Sequence, residues 1–347
     1  MTRSTRVPAL MVAGLAAALA VSGCSKKAET TTPAPGATTS GAAAQEVTVA
    51  FVPKLQGIPY FEAMNAGGQE AAKELGLKWV YKGSTTADPG AQTDIVKSLI
   101  QQKVSALFVA PNDPDSMAPV LADAKAKGIK IATSDTDAPN SEREVFVNQA
   151  TAQGIGEAIS DALLEKMGGK GKLAIVSCGQ TAANLNSWIE VQKKYIGEKY
   201  PDAKIVSTVY AGEDEAKAVS MAKDLMNANP DLTGRIGQCT SSAPGVAKAV
   251  REAGKIGKVF TVGLGTPQAM KPYLADGSSS AAVLWDVQKL GYLTAWAGKQ
   301  IATGASLQPD DKLKAKVPDA TYDEGTKMLL LGPALRITKD NVDQFPY

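Results

Sequence analysis

A chain of 347 residues with 37 Lys and Arg against 35 Asp and Glu carries a formal charge of +2 and contains no histidine. Near-neutrality without a basic block argues against nucleic acid and against a polybasic membrane patch. The absence of histidine removes the usual general base, the Ser-His-Asp and Cys-His arrangements and most zinc sites, so no metal is expected. Three cysteines without a CxxC spacing exclude a disulfide scaffold.

The first segment has the order of an export signal. Arg3 and Arg6 precede an apolar run over 7–21, and Ser22-Gly23-Cys24 follows. The run is short for a permanent bilayer span. Val21-Ser22-Gly23-Cys24 resembles a bacterial lipobox. That resemblance implies a signal peptide over 1–23 and lipid on Cys24; the alternative is an ordinary secretory signal with a chance cysteine. Removing Arg3 and Arg6 from a total of +2 leaves a mature chain of zero net charge. Residues 24–45 are Ser, Thr, Ala, Pro and Gly in the main. Such a composition cannot recover its ordering entropy, so a flexible tether is predicted.

From residue 46 onward strands alternate with helices. Residues 47–52 (VTVAFV) read as a buried strand, 60–75 as a helix ended by Gly76, and 78–82 as a strand. A helix over 91–102, a strand over 106–110, a helix over 117–127 and a strand over 129–133 follow. The same grammar restarts: strands over 173–177, 205–210, 234–237 and 259–263 enclose helices over 187–199, 216–227 and 244–253. A shorter remainder over 281–347 holds a strand, a helix over 290–303 and a late apolar strand over 328–331. Its shortness predicts that it returns to complete both units. Two doubly wound α/β units with parallel sheets are therefore expected, with a cleft between two lobes.

Open α/β sheets bind ligands beyond the carboxyl ends of their strands. Of seven such ends, nearly all run into amides, carboxylates or hydroxyls. Val52 leads to Lys54; Ala110 to Asn112-Asp113; Thr133 to Ser134-Asp135-Thr136-Asp137; Ser177 to Cys178 and on to Asn184. Gly237 leads to Gln238-Cys239-Thr240, Gly263 to Leu264-Gly265-Thr266, and Leu284 to Trp285-Asp286. Tyr60, Phe61 and Trp188 lie near these ends in the chain. Planar polar groups beside aromatic faces suit a polyol, because amides and carboxylates meet vicinal hydroxyls while rings cover C–H faces. Each polar residue taken alone also suits a helix N-cap or a turn, most clearly Asn112, Asp113 and Ser116 beside Pro114. Trp188 suits helix core as well as ligand. No P-loop or GxGxxG pattern follows a strand, so no nucleotide cofactor is expected. Cys178 and Cys239 follow strands that are neighbours in the 2-1-3 order. Two reduced, buried thiols packing behind the ligand are expected, with an inter-strand bridge as the alternative.

The residues then resemble the type I periplasmic binding proteins for sugars, ribose-binding protein among them. The likeness is greatest to the branch holding rhamnose-binding and autoinducer-2-binding proteins. It is carried by Phe51-Val52-Pro53-Lys54-Leu55, Thr133-Ser134-Asp135-Thr136-Asp137 and Val147-Asn148-Gln149. Thr266-Pro267 with Lys271-Pro272-Tyr273, Leu284-Trp285-Asp286-Val287 and Lys339-Asp340-Asn341-Val342-Asp343 continue it. The resemblance implies a hinge of three crossings, an N-lobe of 46–148 plus 287–321 and a C-lobe of 149–286 plus 322–347. It also implies a monomer that closes on its ligand and docks on the permease of an ABC importer. Autoinducer-2 binders use a lysine and an aspartate that fall on Lys54 and Asp135. Their Asp-Gln pair is replaced by Asn184-Leu185, and their proline and alanine by Gln238 and Thr240. The ligand-binding residues so expected are Lys54, Tyr60, Phe61, Asp113, Asp135, Asp137, Asn184, Trp188, Gln238, Thr240, Gly265, Trp285 and Asp286.

The function expected is that of an exported solute-binding lipoprotein, anchored to the cell membrane through Cys24, that delivers a monosaccharide to an ABC permease. Rhamnose or another hexose or deoxyhexose is the first ligand and autoinducer-2 the second. A repressor of the same fold would need an N-terminal helix-turn-helix where this chain has its export signal. An enzyme on this scaffold is the more distant reading, since no GxSxG elbow or metal cluster supports it.

Overall fold

The computed structural model describes residues 46–347. The signal, Cys24 and the tether lie outside them.

The chain begins with β1 (Thr48–Val52), whose last four residues are fully buried. Helix α1 (Pro59–Leu75) starts on a proline and stops at Gly76, which takes φ 65°, a value that only glycine adopts cheaply. Then come β2 (Lys78–Tyr81), α2 (Pro89–Gln101), β3 (Ala106–Val109), α3 (Pro114–Ala126), β4 (Lys130–Ser134) and β5 (Phe146–Asn148). The second series runs α4 (Ala152–Met167), β6 (Gly171–Ser177), α5 (Ala183–Lys199), β7 (Ala203–Tyr210), α6 (Glu215–Ala228) and β8 (Leu232–Gly237). It continues with α7 (Ser242–Glu252), β9 (Phe260–Gly263), α8 (Pro267–Ala275) and β10 (Ala281–Leu284). The last part holds α9 (Val287–Thr303), α10 (Asp311–Lys316), β11 (Thr321–Asp323), β12 (Met328–Leu330) and β13 (Leu335–Ile337).

Two sheets result, one per lobe. The first has the order β11-β12-β5-β4-β3-β1-β2 and the second β13-β10-β9-β8-β6-β7. All pairings are parallel except β11 with β12 and β10 with β13. Strands such as β3 (ALFV) and β10 (AAVL) are buried along their whole length, as a parallel sheet covered on both faces requires. In both sheets the first strand sits between the second and the third, which places the cleft at the switch points.

The chain passes between the sheets three times: after Asn148, after Leu284 and after Leu330. The last crossing was expected at 321/322 and is corrected here. Strand β11 pairs with β12, and β12 pairs in parallel with β5, so residues through Leu330 belong to the first sheet. Only β13 returns to the second. The returning helix α9 lies against α1 so closely that a Cβ on Gly67 would run into the Gln288 carbonyl oxygen, and one on Gly291 into that of Met64.

The two body cysteines also differ from expectation. Cys178 and Cys239 form a disulfide across a sequence separation of 61, with Cα atoms 6.1 Å apart. Strands β6 and β8 are indeed neighbours. Both cysteines, however, lie just past the paired residues, where the chain has left the ladder and its fixed side-chain directions. The argument against facing thiols on paired strands does not apply there.

Candidate functional site

Asp135 is the hub of the cleft. It follows β4 with φ 69°, in the left-handed region that non-glycine residues seldom occupy. Two contacts hold it there: its amide donates to the Val147 carbonyl at 3.1 Å, and the Thr136 amide returns to Ser134 at 2.8 Å. Strain of this kind persists only where surrounding structure enforces it, and it turns the carboxylate into the cleft. One carboxylate oxygen accepts from the Tyr60 hydroxyl at 2.7 Å; the other accepts from Thr136 at 3.1 Å.

Lys54, just beyond β1, brings its ammonium to 3.7 Å from Asp135, and both side chains are about 5% exposed. A pair this dry is worth little on its own unless other groups complete its hydrogen bonding. Completion comes from the opposite lobe. Asn184, at the start of α5, accepts from Lys54 Nζ at 2.8 Å and donates to the Asp135 carbonyl at 3.4 Å. Thr181 makes a second link, donating to the Asn112 carbonyl at 3.0 Å. Asn112 in turn donates to the Lys54 carbonyl at 2.9 Å, fixing the loop that carries the lysine. The lobes are thus hydrogen-bonded to one another across the cleft.

Aromatic rings wall the site. Tyr60 and Phe61 enter on the first turn of α1, edge to face at 5.0 Å. Trp285, at the end of β10, donates from Nε1 to the Tyr60 hydroxyl at 3.1 Å and meets Trp188 of α5 at 5.8 Å between ring centres. Burial, reinforced by the Asp135 carboxylate, holds the Tyr60 proton far above the usual phenol range. Tyr60 therefore remains a donor.

A small cavity of about 40 Å³ lies among these groups. Of the residues expected from sequence, Lys54, Tyr60, Phe61, Asp135, Asn184, Trp188, Gln238, Thr240 and Trp285 line it. Gln238 is fully buried and, among the described residues, its Nε2 has no partner, while its Oε1 accepts from Gln192 at 3.0 Å. An unmet buried donor on a cavity wall is where a ligand oxygen can be bound.

Four expected residues are occupied elsewhere, and their placement in the site is corrected. Asp113 caps α3, accepting from the Ser116 amide at 2.9 Å. Asp286 caps α9 in the same way through Lys289 at 3.0 Å. Asp137 is held by the Arg143 guanidinium and by the Thr133 hydroxyl. Gly265 packs on Met270, and neither it nor the other three lines the cavity. For the three aspartates the local need, a helix N-terminus or an ion pair, takes the group that sequence pattern alone assigned to a ligand.

Conversely, Ile58, Leu185, Glu213 and Leu264 line the cavity without having been assigned to it. Leu264 and Leu185 are neighbours of assigned residues; their apolar character concealed them. Glu213 follows β7, whose carboxyl end runs on through Ala211 and Gly212, so no polar residue directly after the strand signals it. Burial pushes its carboxyl upward, against the opposing pull of Lys54 and of the Ser241 hydroxyl.

Two doubly wound lobes facing one another across an aromatic, hydrogen-bonding cavity are the architecture of a type I periplasmic binding protein. Residues 49–306 match the periplasmic binding protein domain family, and the chain belongs to it. It is 30% identical to a D-ribose/D-allose-binding protein of Pseudomonas aeruginosa, over 66% of this chain and 74% of that one. A solved ABC transporter solute-binding protein from Clostridium phytofermentans with bound L-rhamnose has a TM-score of 0.80 and 27% identity, covering 86% of this chain and 98% of that one. LsrB from Clostridium saccharobutylicum in complex with AI-2 has a TM-score of 0.79 and 26% identity, over 87% and 100% of the two chains.

Proposed function

We propose that this protein is the extracytoplasmic solute receptor of an ABC sugar importer and that its ligand is a monosaccharide, a 6-deoxyhexose such as rhamnose first. It releases the sugar unchanged to a permease, acts as a monomer, and is held at the membrane by lipid on Cys24. Its lobes are 46–148 with 287–330, and 149–286 with 331–347. The observation that carries this reading is the Lys54–Asp135 pair, buried in a cavity between the lobes and joined there by Asn184 from the facing side. Charged hydrogen bonds to hydroxyls would orient the ring, and the Tyr60, Trp188 and Trp285 rings would cover its C–H faces. Leu185 and Leu264 add an apolar wall that fits a methyl group better than a hydroxymethyl group. The relative with bound L-rhamnose supports the same choice.

Autoinducer-2 is the second reading, favoured by Lys54 and Asp135 themselves, which fall where that branch places its lysine and aspartate. Calorimetric titration of the soluble Cys24→Ser protein separates the two. Rhamnose or another deoxyhexose should bind with the sugar recovered intact. Binding of autoinducer-2 alone would transfer the assignment, and turnover of the sugar would refute a pure receptor.

A further inference from the structure

Resting on the sugar-receptor reading, we propose that Glu213 is a ligand-binding carboxylate of the cleft, the second lobe's charged acceptor for two neighbouring hydroxyls of the sugar. It would sit opposite Lys54 and Asp135 and select ligands that turn a vicinal pair toward that lobe. Three observations lead there.

The first is placement. Glu213 lines the cavity together with Lys54, Asp135, Gln238 and Thr240. Its loop is fastened to the second sheet: the Ala211 amide donates to the Ser177 carbonyl at 2.8 Å and the Gly212 amide to that of Cys178 at 3.2 Å. Gly212 takes φ 70°, which turns the chain at that point. The carboxylate also lies against the Cys178–Cys239 bridge, all three side-chain groups falling within 4.8 Å of one another. It is thus a group on a rigid floor, as a specificity-determining residue needs to be.

The second is unfilled hydrogen-bonding capacity. Oε2 accepts from the Ser241 hydroxyl at 2.9 Å. Among the described residues, Oε1 has no protein donor. A carboxylate can accept about four hydrogen bonds, and two adjacent sugar hydroxyls match its two oxygens.

The third is the balance of charge. Lys54 and Asp135 are paired with each other. Asn184, where the autoinducer-2 pattern has an aspartate, brings no charge, so Glu213 is the carboxylate that the second lobe contributes to the cavity. The groups facing it are Lys54 and Asp135 across the cleft, Ser241 on α7, the disulfide, and the Tyr60 hydroxyl on the same cavity wall. Burial raises the affinity of Glu213 for a proton, which fits an acceptor that ligand donors would complete. Donors from the sugar favour the ionised form, so binding should release a proton. Affinity is then greatest where Glu213 is ionised and falls as lower pH protonates it.

Calorimetry on the Cys24→Ser protein tests this, using L-rhamnose and a panel of hexoses, deoxyhexoses and polyols at several pH values. Glu213→Gln should bind at least about tenfold more weakly. It should also lose the parent's decline in affinity as pH falls, since a glutamine has no proton to gain. Glu213→Ala, checked for an unchanged circular dichroism spectrum, should lose affinity as well. If the parent binds a sugar and Glu213→Gln matches it within about twofold with the same pH profile, the assignment is overturned. If the parent binds no member of the panel, the sugar reading falls first and takes this assignment with it.

Discussion

At the scale of single residues, Asp135 shows how a binding group is recognised and how it is held. The TxDxD stretch marked both Asp135 and Asp137, but the structure separates them. Asp135 faces the cavity from a left-handed backbone, whereas Asp137 is clasped by Arg143. The alternation of side chains at a strand end could not reveal this, because the turn after β4 is set by Val147 on the neighbouring strand. Nor could spacing distinguish caps from ligands: Asp113 and Asp286 look like Asp135 in sequence and end as helix caps. Asparagine tolerates the left-handed region, so Asp135→Asn should keep the fold while removing the charge. A charged hydrogen bond contributes roughly 1.5–3 kcal/mol, so sugar binding should weaken at least about tenfold by calorimetry. Unchanged affinity in the folded variant would remove Asp135 from the site.

Among the elements, the helices and strands that alternate regularly were legible from apolar period and glycine stops. Helix α1 ends at Gly76 as expected, and β3 and β9 fall within a residue of their expected bounds. Helix α4 was passed over although Ile155, Ile159 and Leu163 repeat every four residues ahead of Gly168. Its small residues, Gly154, Gly156 and Ala158, dilute the apolar stripe that marks the other helices. Strands β11 and β13, of three residues each, carry too little pattern to be seen without their partners. The contact between α1 and α9 lies beyond any local pattern, since it joins residues more than 200 positions apart. There Gly67 and Gly291 bring two backbones together. Gly67→Ala gains about 1 kcal/mol of helix propensity but forces a methyl group against the Gln288 carbonyl. The overpacking should prevail, with a net loss of about 1–2 kcal/mol, read as a lower denaturant midpoint. A midpoint at or above the parent's would show that α9 can withdraw freely.

For the molecule as a whole, the two lobes and their order were visible because the same βα grammar occurs twice. The path of the last 60 residues was not. Those residues visit both sheets, and only pairing with β5 assigns β12 to the first lobe. Besides the three crossings, the lobes are linked across the cleft by the side chains of Asn184 and Thr181 and by the Trp285–Tyr60 hydrogen bond. Among those links, Tyr60 belongs to α1 of the first lobe, whereas Trp285 ends the last parallel strand of the second. Their rings are 6.0 Å apart and nearly perpendicular, and Trp188 also packs against Trp285. Separation of the lobes would expose this indole to water and deprive it of its hydrogen-bond acceptor. The fold therefore carries its own optical gauge of opening. Intrinsic tryptophan emission should shift to shorter wavelength on addition of sugar, with the same midpoint as the calorimetric titration. Trp285→Phe should remove most of the shift, leaving only what Trp188 contributes from the same wall, whereas Trp79→Phe, which alters a ring outside the cavity, should preserve it. A parent whose emission stays constant at saturation would mean that this indole does not change surroundings as the ligand enters. With the gauge working, occupancy could be followed in a cuvette without a label, and the spectrum would report the geometry of the cleft each time it filled.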